Sequence, residues 1–550
     1  MFCLPVILYF ILRTFEVDLT HLIIPYFEPE PDKSFGFYRD FLRLCFNEML
    51  WLSFFGLVTL ILLIYVPMTE TFTWIDRQTA GRTGLITTLV ICISLLAVIY
   101  IAYDTLATFP NSGDEYVYLY QAQTLAEGRL WNEAHPMDEF FLYSHIAQKD
   151  GINVGRFPPG WPVLLTIPYI LGFPPFLLNP VLALISLIVF YRFAKRYYGQ
   201  RIAFWSLLSL ASTAFFLFNS ASYFSHISCM LFALGFVYSL YLHLEKRATG
   251  YALLAGAFLG LTVITRYYNA VLIFFPFIVF LVYRYKWSSL RTLVLIGLGV
   301  VPFMLFLFWY DFKITGNPFL PVTVWTDARE GLGFGVRGYT PLNGIEHLIR
   351  RVMLFLYWCS PALLLFYFVF LYHKIRSSSD RFLHPEDYFV LMMILGYFFY
   401  YHIGGNQYGP RFWFEGLPFL ILFVVKKVFE FRSRLSLALF AAGIIYCVIK
   451  LPYIIDREDQ VVAERTDLYR LTGQEQIRNA VVLISSHTGI IRPMGILDLP
   501  RNGIDYNSGV IYAIDRPGEN HKLMEYYPDR SFYQYVRDPD IVKGKLVKVK

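Results

Sequence analysis

The sequence predicts an all-α polytopic membrane protein: about twelve or thirteen transmembrane helices, with a small outer α/β domain at the C-terminal end. Three observations carry this expectation. Only 16% of the 550 residues are charged while 56% are hydrophobic, and soluble domains carry roughly 25% charged residues. The mean hydropathy is +0.48, and the apolar residues cluster into runs of roughly 16–22, the length a helix needs to cross about 30 Å of hydrocarbon. Short loops rich in Lys and Arg separate those runs in an alternating pattern, as a positive-inside topology requires.

In chain order, crossings are expected at 49–67, 83–103, one net crossing within 161–193, then 202–218, 223–243, 251–265, 269–283, 293–310, 352–372, 388–401, 415–428 and 435–454. Residues 2–15 add a thirteenth if they span. The chain is therefore read as an N-terminal segment, 1–47, and a transmembrane domain, 48–454. Pro174, Pro175 and Pro302 break or shorten individual runs, because proline interrupts the backbone ladder of a helix.

Orientation follows from the basic loops. Arg192, Lys195, Arg196 and Arg201 fall in one, Lys246 and Arg247 in the next, and Arg284, Lys286 and Arg291 in a third. Lys374, Arg376 and Arg381 make a fourth, and Lys426, Lys427, Arg432 and Arg434 a fifth. One alternating path through the crossings puts all five in the cytoplasm. Four polar regions then fall together outside: 104–160, 311–351, 402–414 and the tail. The tail, read as a domain over 455–550, joins a helical opening at 457–479 to the strand-like AVVLI at Ala480–Ile484 and GVIYAI at 509–514.

Other classes find no support. Most of Cys3, Cys45, Cys92, Cys229, Cys359 and Cys447 lie in apolar runs and none forms a CxxC pair. They read as small core hydrophobes, since disulfide frameworks and zinc sites need clustered cysteines. A net charge of +6 is small for this length and implies no nucleic-acid partner. No cleavable signal peptide is expected, because residues 1–12 lack a basic leader and a small-residue cleavage site. The phosphate-loop, HExxH and GxSxG patterns are absent from the sequence, so cytoplasmic nucleotide chemistry has no foothold.

The outer regions hold the unusual residues. In NSGDEYVYLYQAQTLAEGRLW (111–131), Gly113 breaks the chain, and Leu119, Ala122 and Ala126 recur at helical spacing with Gly128 as a stop. Asp114 and Glu115 thus open a helix, where the macrodipole stabilises carboxylates. Its tyrosines and leucines suit a helix lying in the membrane interface. The pair reads either as a cap on a solvated loop or as a carboxylate that takes a proton from a hydroxyl. GRFPPGWP (155–162) is a rigid membrane-entry turn anchored by Arg156 and Trp161, with Arg156 a second-choice phosphate contact. In HIGGNQYGPRFWF (402–414), Arg411 stands beside Tyr408, Phe412 and Trp413. It fits a snorkelling anchor or a fork of donors on a phosphate. Arg266, at the outer end of a span, poses the same choice. His226 reads first as a hydrogen-bonded core residue. The glycine-rich loop 323–341, with Asp327, Arg329, Glu330 and Arg337, is either a linker or a cover over a site.

Taken together these residues resemble the GT-C superfamily of membrane glycosyltransferases, in the branch of protein O-mannosyltransferases and lipid A aminoarabinose transferases. The resemblance rests on Asp114-Glu115, Tyr118, Ala122, Gly128, Trp131 and Pro136 in the first outer loop. Pro158-Pro159 before the next span and Arg411-Phe412 ahead of Leu417-Pro418 extend it. It covers roughly 103–454. Two features depart from protein mannosyltransferases: the outer tail is small, and the middle outer loops carry no second acidic motif.

The resemblance implies a GT-C-like fold and transfer of a sugar from a polyprenyl-phosphate donor to a hydroxyl of a glycan, lipid or protein acceptor, with inversion, outside the plasma (inner) membrane. It implies Asp114 as base, Glu115 as its support, and Arg411, helped by Arg266 or Arg156, on the leaving phosphate. Tyr408, His226 and Arg337 join the binding candidates. No metal is needed for such a step, although some GT-C relatives use a divalent ion. The rival expectation is a transporter or lipid or glycan flippase, a class that favours inverted repeats and sites near the bilayer midplane.

Overall fold

The computed structural model describes residues 33–376, 384–404, 407–485, 496–537 and 544–550, with side chains from residue 49 onward. The expected crossing at 2–15 and the side chains of Cys3 and Cys45 lie outside the described residues. Of the other cysteines, Cys229, Cys359 and Cys447 are buried and Cys92 is exposed, all as free thiols.

The other expected crossings fall on helical stretches, although 202–218 and 352–372 each run across a break between two helices. Among the described residues, five helical stretches are long and apolar enough to cross a membrane, or up to seven if each bent pair is one span. The bent pairs are Met49–Tyr65 with Met68–Thr79, at 87°, and Gln200–Ala211 with Ala214–Ala221, at 64°. In the region expected to cross once, Gly160–Leu171 has only 12 residues, whereas Pro175–Tyr198 passes the length test.

One of the five stretches, Thr249–Thr315, is 67 residues long and holds three expected crossings. The helix Thr249–Tyr285 breaks at Arg266, where φ is −151° and ψ is 78°. Helix Ser289–Thr315 then packs on its first half. Gly256 meets Gly299 and Gly260 meets Phe303, a constant offset, so 249–265 runs parallel to the later helix. Two parallel neighbours separated by one connection need a return crossing, which 267–285 supplies. A Cβ on Gly256 would lie 2.1 Å from the Ile296 carbonyl oxygen, so only glycine permits this approach. Gly256→Ala is expected to lower stability by about 1–3 kcal/mol, read as a drop in the thermal unfolding midpoint in detergent.

Shorter crossings are explained by burial. Leu417–Phe431 has 15 residues and is buried at 417–425 and again at Val428 and Phe429, as expected of a helix that is apolar all round. Pro361–Arg376 and Phe389–Phe398 are likewise short.

By contacts the chain divides into two compact units. The first comprises Met1–Cys92, Phe190–Phe216 and Gly333–Pro452, and is helical. The second comprises Ile93–Val189, Leu217–Leu332 and Tyr453–Lys550. It holds two sheets. The first outer loop contributes β1 (Asn132–Glu133), β2 (Ile146–Lys149) and β3 (Ile152–Gly155), antiparallel in the order β1-β3-β2.

The tail contributes β4 (Ala480–Ile484), β5 (Val510–Ile514), β6 (Ser531–Val536) and β7 (Lys545–Lys548), in the order β5-β4-β6-β7. β4 pairs in parallel with β5 and β6, while β7 closes antiparallel on β6. The continuous apolar run AVVLI is buried along its whole length, as a central parallel strand covered on both faces must be. Val481 and Leu483 pack with Ile511, Leu523, Phe532 and the first-loop residues Phe140 and Phe141. Val482 and Ile484 pack with Leu468, Leu499 and Tyr535. The helical opening expected at 457–479 is the end of one 41-residue helix, Arg434–Gln474, continuous with the last crossing.

His135 sits in the seam between first loop and tail, 7% exposed. Its Nδ1 accepts from the Met137 N–H at 3.0 Å and its Nε2 lies 2.8 Å from the Tyr527 hydroxyl. Burial pushes its pKa down to about 4, so it is folded in as a neutral ring. The unfolded chain binds this proton below the ordinary value near 6.5, and the folded chain only near 4. Stability is therefore full above about pH 6.5 and falls as the pH drops towards 4. About 2 kcal/mol is expected to be lost by pH 5, measured as unfolding midpoints across pH. His135→Phe should flatten that dependence; a wild-type slope in the variant would put the acid sensitivity elsewhere.

Candidate active site

The first-loop helix spans Gly113–Ala126. Ser112 caps it: its hydroxyl accepts the Glu115 N–H at 3.1 Å and donates to Glu115 Oε2 at 3.1 Å, an N-cap in which the Glu115 side chain holds the capping hydroxyl. Glu115 is fully buried, and its Oε1 accepts the Tyr223 N–H at 2.8 Å. This carboxylate ties the helix start to the turn before helix His226–Lys246. Asp114, one position earlier, is half-buried. Its side chain is 22% exposed, and Oδ1 lies 3.3 Å from His145 Nε2.

The tail fastens the same helix start from behind. The Arg501 guanidinium donates to the Pro110 carbonyl, to Ser112 O at 3.4 Å and to Asp498 O at 3.0 Å. It also lies 4.6 Å over the Phe109 ring and 5.4 Å over Tyr116. The Tyr116 hydroxyl donates to Asn502 O at 2.7 Å and accepts from its N–H at 3.0 Å. Asp498 accepts from the Ser144 hydroxyl. A Cβ on Gly113 would come within 2.6 Å of Asp498 Oδ1 and 3.0 Å of His145 Cδ2, so a larger residue there would push these two side chains aside.

The Tyr-rich helix was expected to lie in the membrane interface. Val117, Tyr118, Tyr120, Gln121 and Ala122 are buried. Tyr118 packs 4.6 Å from Phe157 and Tyr116 packs 4.6 Å from Tyr143, because the loop and tail supply an apolar cover that the local sequence does not reveal.

Other expected residues of this unit join the same region. Arg156 forms an ion pair with Glu330, both side chains largely buried. Its backbone N–H donates to His145 O at 3.1 Å, and its carbonyl accepts from Thr323 Oγ1 at 2.9 Å. The guanidinium is thus neutralised by a carboxylate from the glycine-rich loop. Trp161 Nε1 donates to Tyr223 O at 2.8 Å. Arg266, at the helix break, points Nη1 to Ser225 Oγ at 3.4 Å, beside His226, which is 1% exposed and packs on Phe224 at 5.7 Å.

Arg411, Tyr408 and Arg337 lie in the first unit. Tyr408 is fully buried with φ +54°, edge-on to Trp358 at 6.0 Å, so its ring packs the loop rather than facing open space. The Arg411 N–H donates to Gly404 O at 3.2 Å and Gly409 O at 2.8 Å, and its guanidinium lies 6.0 Å from the Phe412 ring. Arg337 is exposed, with φ +51°, and lies 5.0 Å over Tyr401. The loop is laced by Arg351, 1% exposed, which donates to Ile403 O at 2.9 Å, Tyr397 O at 2.7 Å and His402 O at 2.6 Å.

His145, Arg501 and Arg351 were not singled out in the sequence. None stands in a motif, and Arg501 acts on residues 391 positions away. Among the described residues, no group of three or more His, Cys, Asp or Glu side chains is placed to hold a metal ion.

Comparison with known proteins agrees with this architecture. The family model described as dolichyl-phosphate-mannose-protein mannosyltransferase matches residues 166–310, beginning after the Asp114 helix. No curated protein matches the sequence. ArnT from Cupriavidus metallidurans in the apo state superposes with a TM-score of 0.53 at 14% identity, over 84% of this chain and 94% of that one. The same protein bound to undecaprenyl phosphate gives 0.50 at 12% identity, over 85% and 98%. In fold along most of its length, and in sequence over 166–310, the chain resembles the GT-C glycosyltransferases of the protein O-mannosyltransferase and aminoarabinose transferase branch.

Proposed function

We propose that the protein is a membrane glycosyltransferase that moves a sugar from a polyprenyl-phosphate donor to an acceptor hydroxyl at the outer face, with inversion. The observation that carries this reading is the state of the two first-loop acids. Glu115 is buried in structural hydrogen bonds, while Asp114 sits at the same helix start with its carboxylate partly exposed and within 3.3 Å of His145 Nε2. A carboxylate so placed takes the proton of an acceptor hydroxyl as that oxygen attacks the anomeric carbon. The bond from that carbon to the phosphate oxygen breaks on the opposite face, and polyprenyl phosphate leaves with the electron pair.

Charge builds on the leaving phosphate, so cations aimed at it contribute most to the rate. Arg266, in the unit that carries Asp114, is assigned to that task with His226 beside it, while Arg411 and Arg337 stand as candidates on the family resemblance alone. Arg156 comes after them, because Glu330 already neutralises it. Tyr408 shapes the loop that carries Arg411. The ArnT structure with undecaprenyl phosphate supports a polyprenyl carrier. The sugar and the acceptor are open to identification by lipid and glycan mass spectrometry after gene deletion.

The direct test reconstitutes the full chain in liposomes with a polyprenyl-phosphate sugar and follows release of polyprenyl phosphate together with the anomeric configuration of the product. A new glycoside of inverted configuration is expected. Movement of a solute or lipid with no covalent product would replace this reading by the transporter one.

A further inference from the structure

Two of the basic loops that the proposed chemistry leaves unused, 191–201 and 426–434, belong to the first unit. They meet at an open cavity of about 470 Å³ whose lining includes Tyr198, Arg201, Lys426 and Arg432, together with His384 and Glu430. Two of its charges are already matched. Arg201 Nε lies 2.6 Å from Asp76 Oδ2, with the guanidinium 4.3 Å over the Phe429 ring, and Glu430 is held by Lys427 at 2.7 Å. Lys426 rests 5.4 Å over the Tyr198 ring, and Arg432 donates Nε to Phe429 O at 3.2 Å. Among the described residues neither has a carboxylate partner, so the cavity keeps a surplus of positive charge.

Its rim is apolar. Phe431 and Leu435, which flank Arg432 in sequence, are 56% and 53% exposed. Bulky hydrophobes left open beside unmatched cations mark the depth where hydrocarbon gives way to headgroups, and basic pockets between helices there suit lipid phosphates.

We propose that this cavity binds the headgroup phosphate of an anionic phospholipid, with Lys426 and Arg432 on the phosphate, Arg201 behind them, and the acyl chains over Phe431 and Leu435. The inference shares no residue with the proposed glycosyl transfer and stands or falls separately from it.

Native mass spectrometry of the full chain in detergent, offered phosphatidylglycerol and phosphatidylcholine together, tests it. Phosphatidylglycerol is expected to be retained preferentially, with each cation contributing about fivefold. Lys426→Met combined with Arg432→Gly should abolish the preference. Met keeps the length of the lysine stem, and Arg432 holds φ +47° at a helix C-cap, where glycine is the best-tolerated residue. If the double variant does not fold, either single variant should still cut the preference about fivefold. Equal retention of the two lipids by the unaltered chain, or an unchanged preference in the variants, overturns the proposal. Glycerol 1-phosphate or inorganic phosphate at millimolar concentration should leave the lipid bound; displacement would make the cavity a site for a soluble phosphate instead and would likewise overturn it.

Discussion

Asp114→Asn is expected to lower turnover by about a thousandfold while leaving the protein folded. Asparagine keeps the size of the side chain and can still approach His145, but it cannot take a proton, and general-base catalysis is worth roughly 10² to 10⁴ in rate. The structural cost is small because Asp114 is not the residue that caps its helix; Ser112 and Glu115 do that. Losing a carboxylate at a helix N-terminus costs about 0.3–1 kcal/mol. The measurement is single-turnover transfer from a polyprenyl-phosphate sugar, beside a thermal melt in the same detergent. Transfer at the wild-type rate would remove Asp114 from the chemistry. A melt several degrees lower would mean that any lost activity reports damage to the fold rather than loss of a base.

Glu115→Ala is expected to do the reverse, with the larger effect on stability. The carboxylate is fully buried and accepts from Tyr223 N–H and the Ser112 hydroxyl. Truncation leaves the Tyr223 donor unsatisfied inside the protein, at about 1–3 kcal/mol, and removes the acceptor of the Ser112 hydroxyl, at about 1 kcal/mol. A loss of about 2–4 kcal/mol follows, with activity falling because the helix start that holds Asp114 loosens. Glu115→Gln retains one accepting oxygen and should recover most of the stability. If Glu115→Ala melts like the parent chain yet loses transfer, Glu115 acts directly on the substrate and its structural assignment fails.

The two acids show how far a single sequence carries. Both were legible as a pair opening a helix, because capping, glycine breaks and helical spacing are written within a dozen residues. Their separate duties were not. Glu115 finds its partner 108 residues away, and Asp114 faces a histidine that no motif announced. The burial of the Tyr-rich helix was not legible for the same reason: the aromatics that cover it come from Phe157 and Tyr143, and the clamp behind it from Arg501. The crossings fared better. Hydropathy located apolar helical stretches, although it ran 202–218 and 352–372 across helix breaks, and the division of 249–285 into two was visible, with Arg266 at the break.

The sequence by itself determined the membrane class, the positions of the apolar helices, the buried parallel strand AVVLI and the acidic opening of the first-loop helix. These follow from local patterning, in which each residue's preference is set by neighbours a few positions away and by the medium around it. Only the tertiary structure decided that Glu115 is a buried tie, that Arg156 is neutralised by Glu330, that Tyr408 is packing, and that the tail's Arg501 and Asn502 brace the helix carrying Asp114. Those pairings join segments far apart in the chain. Their stability comes from burial and hydrogen bonds that exist only once the whole unit has closed, so no short stretch of residues encodes them.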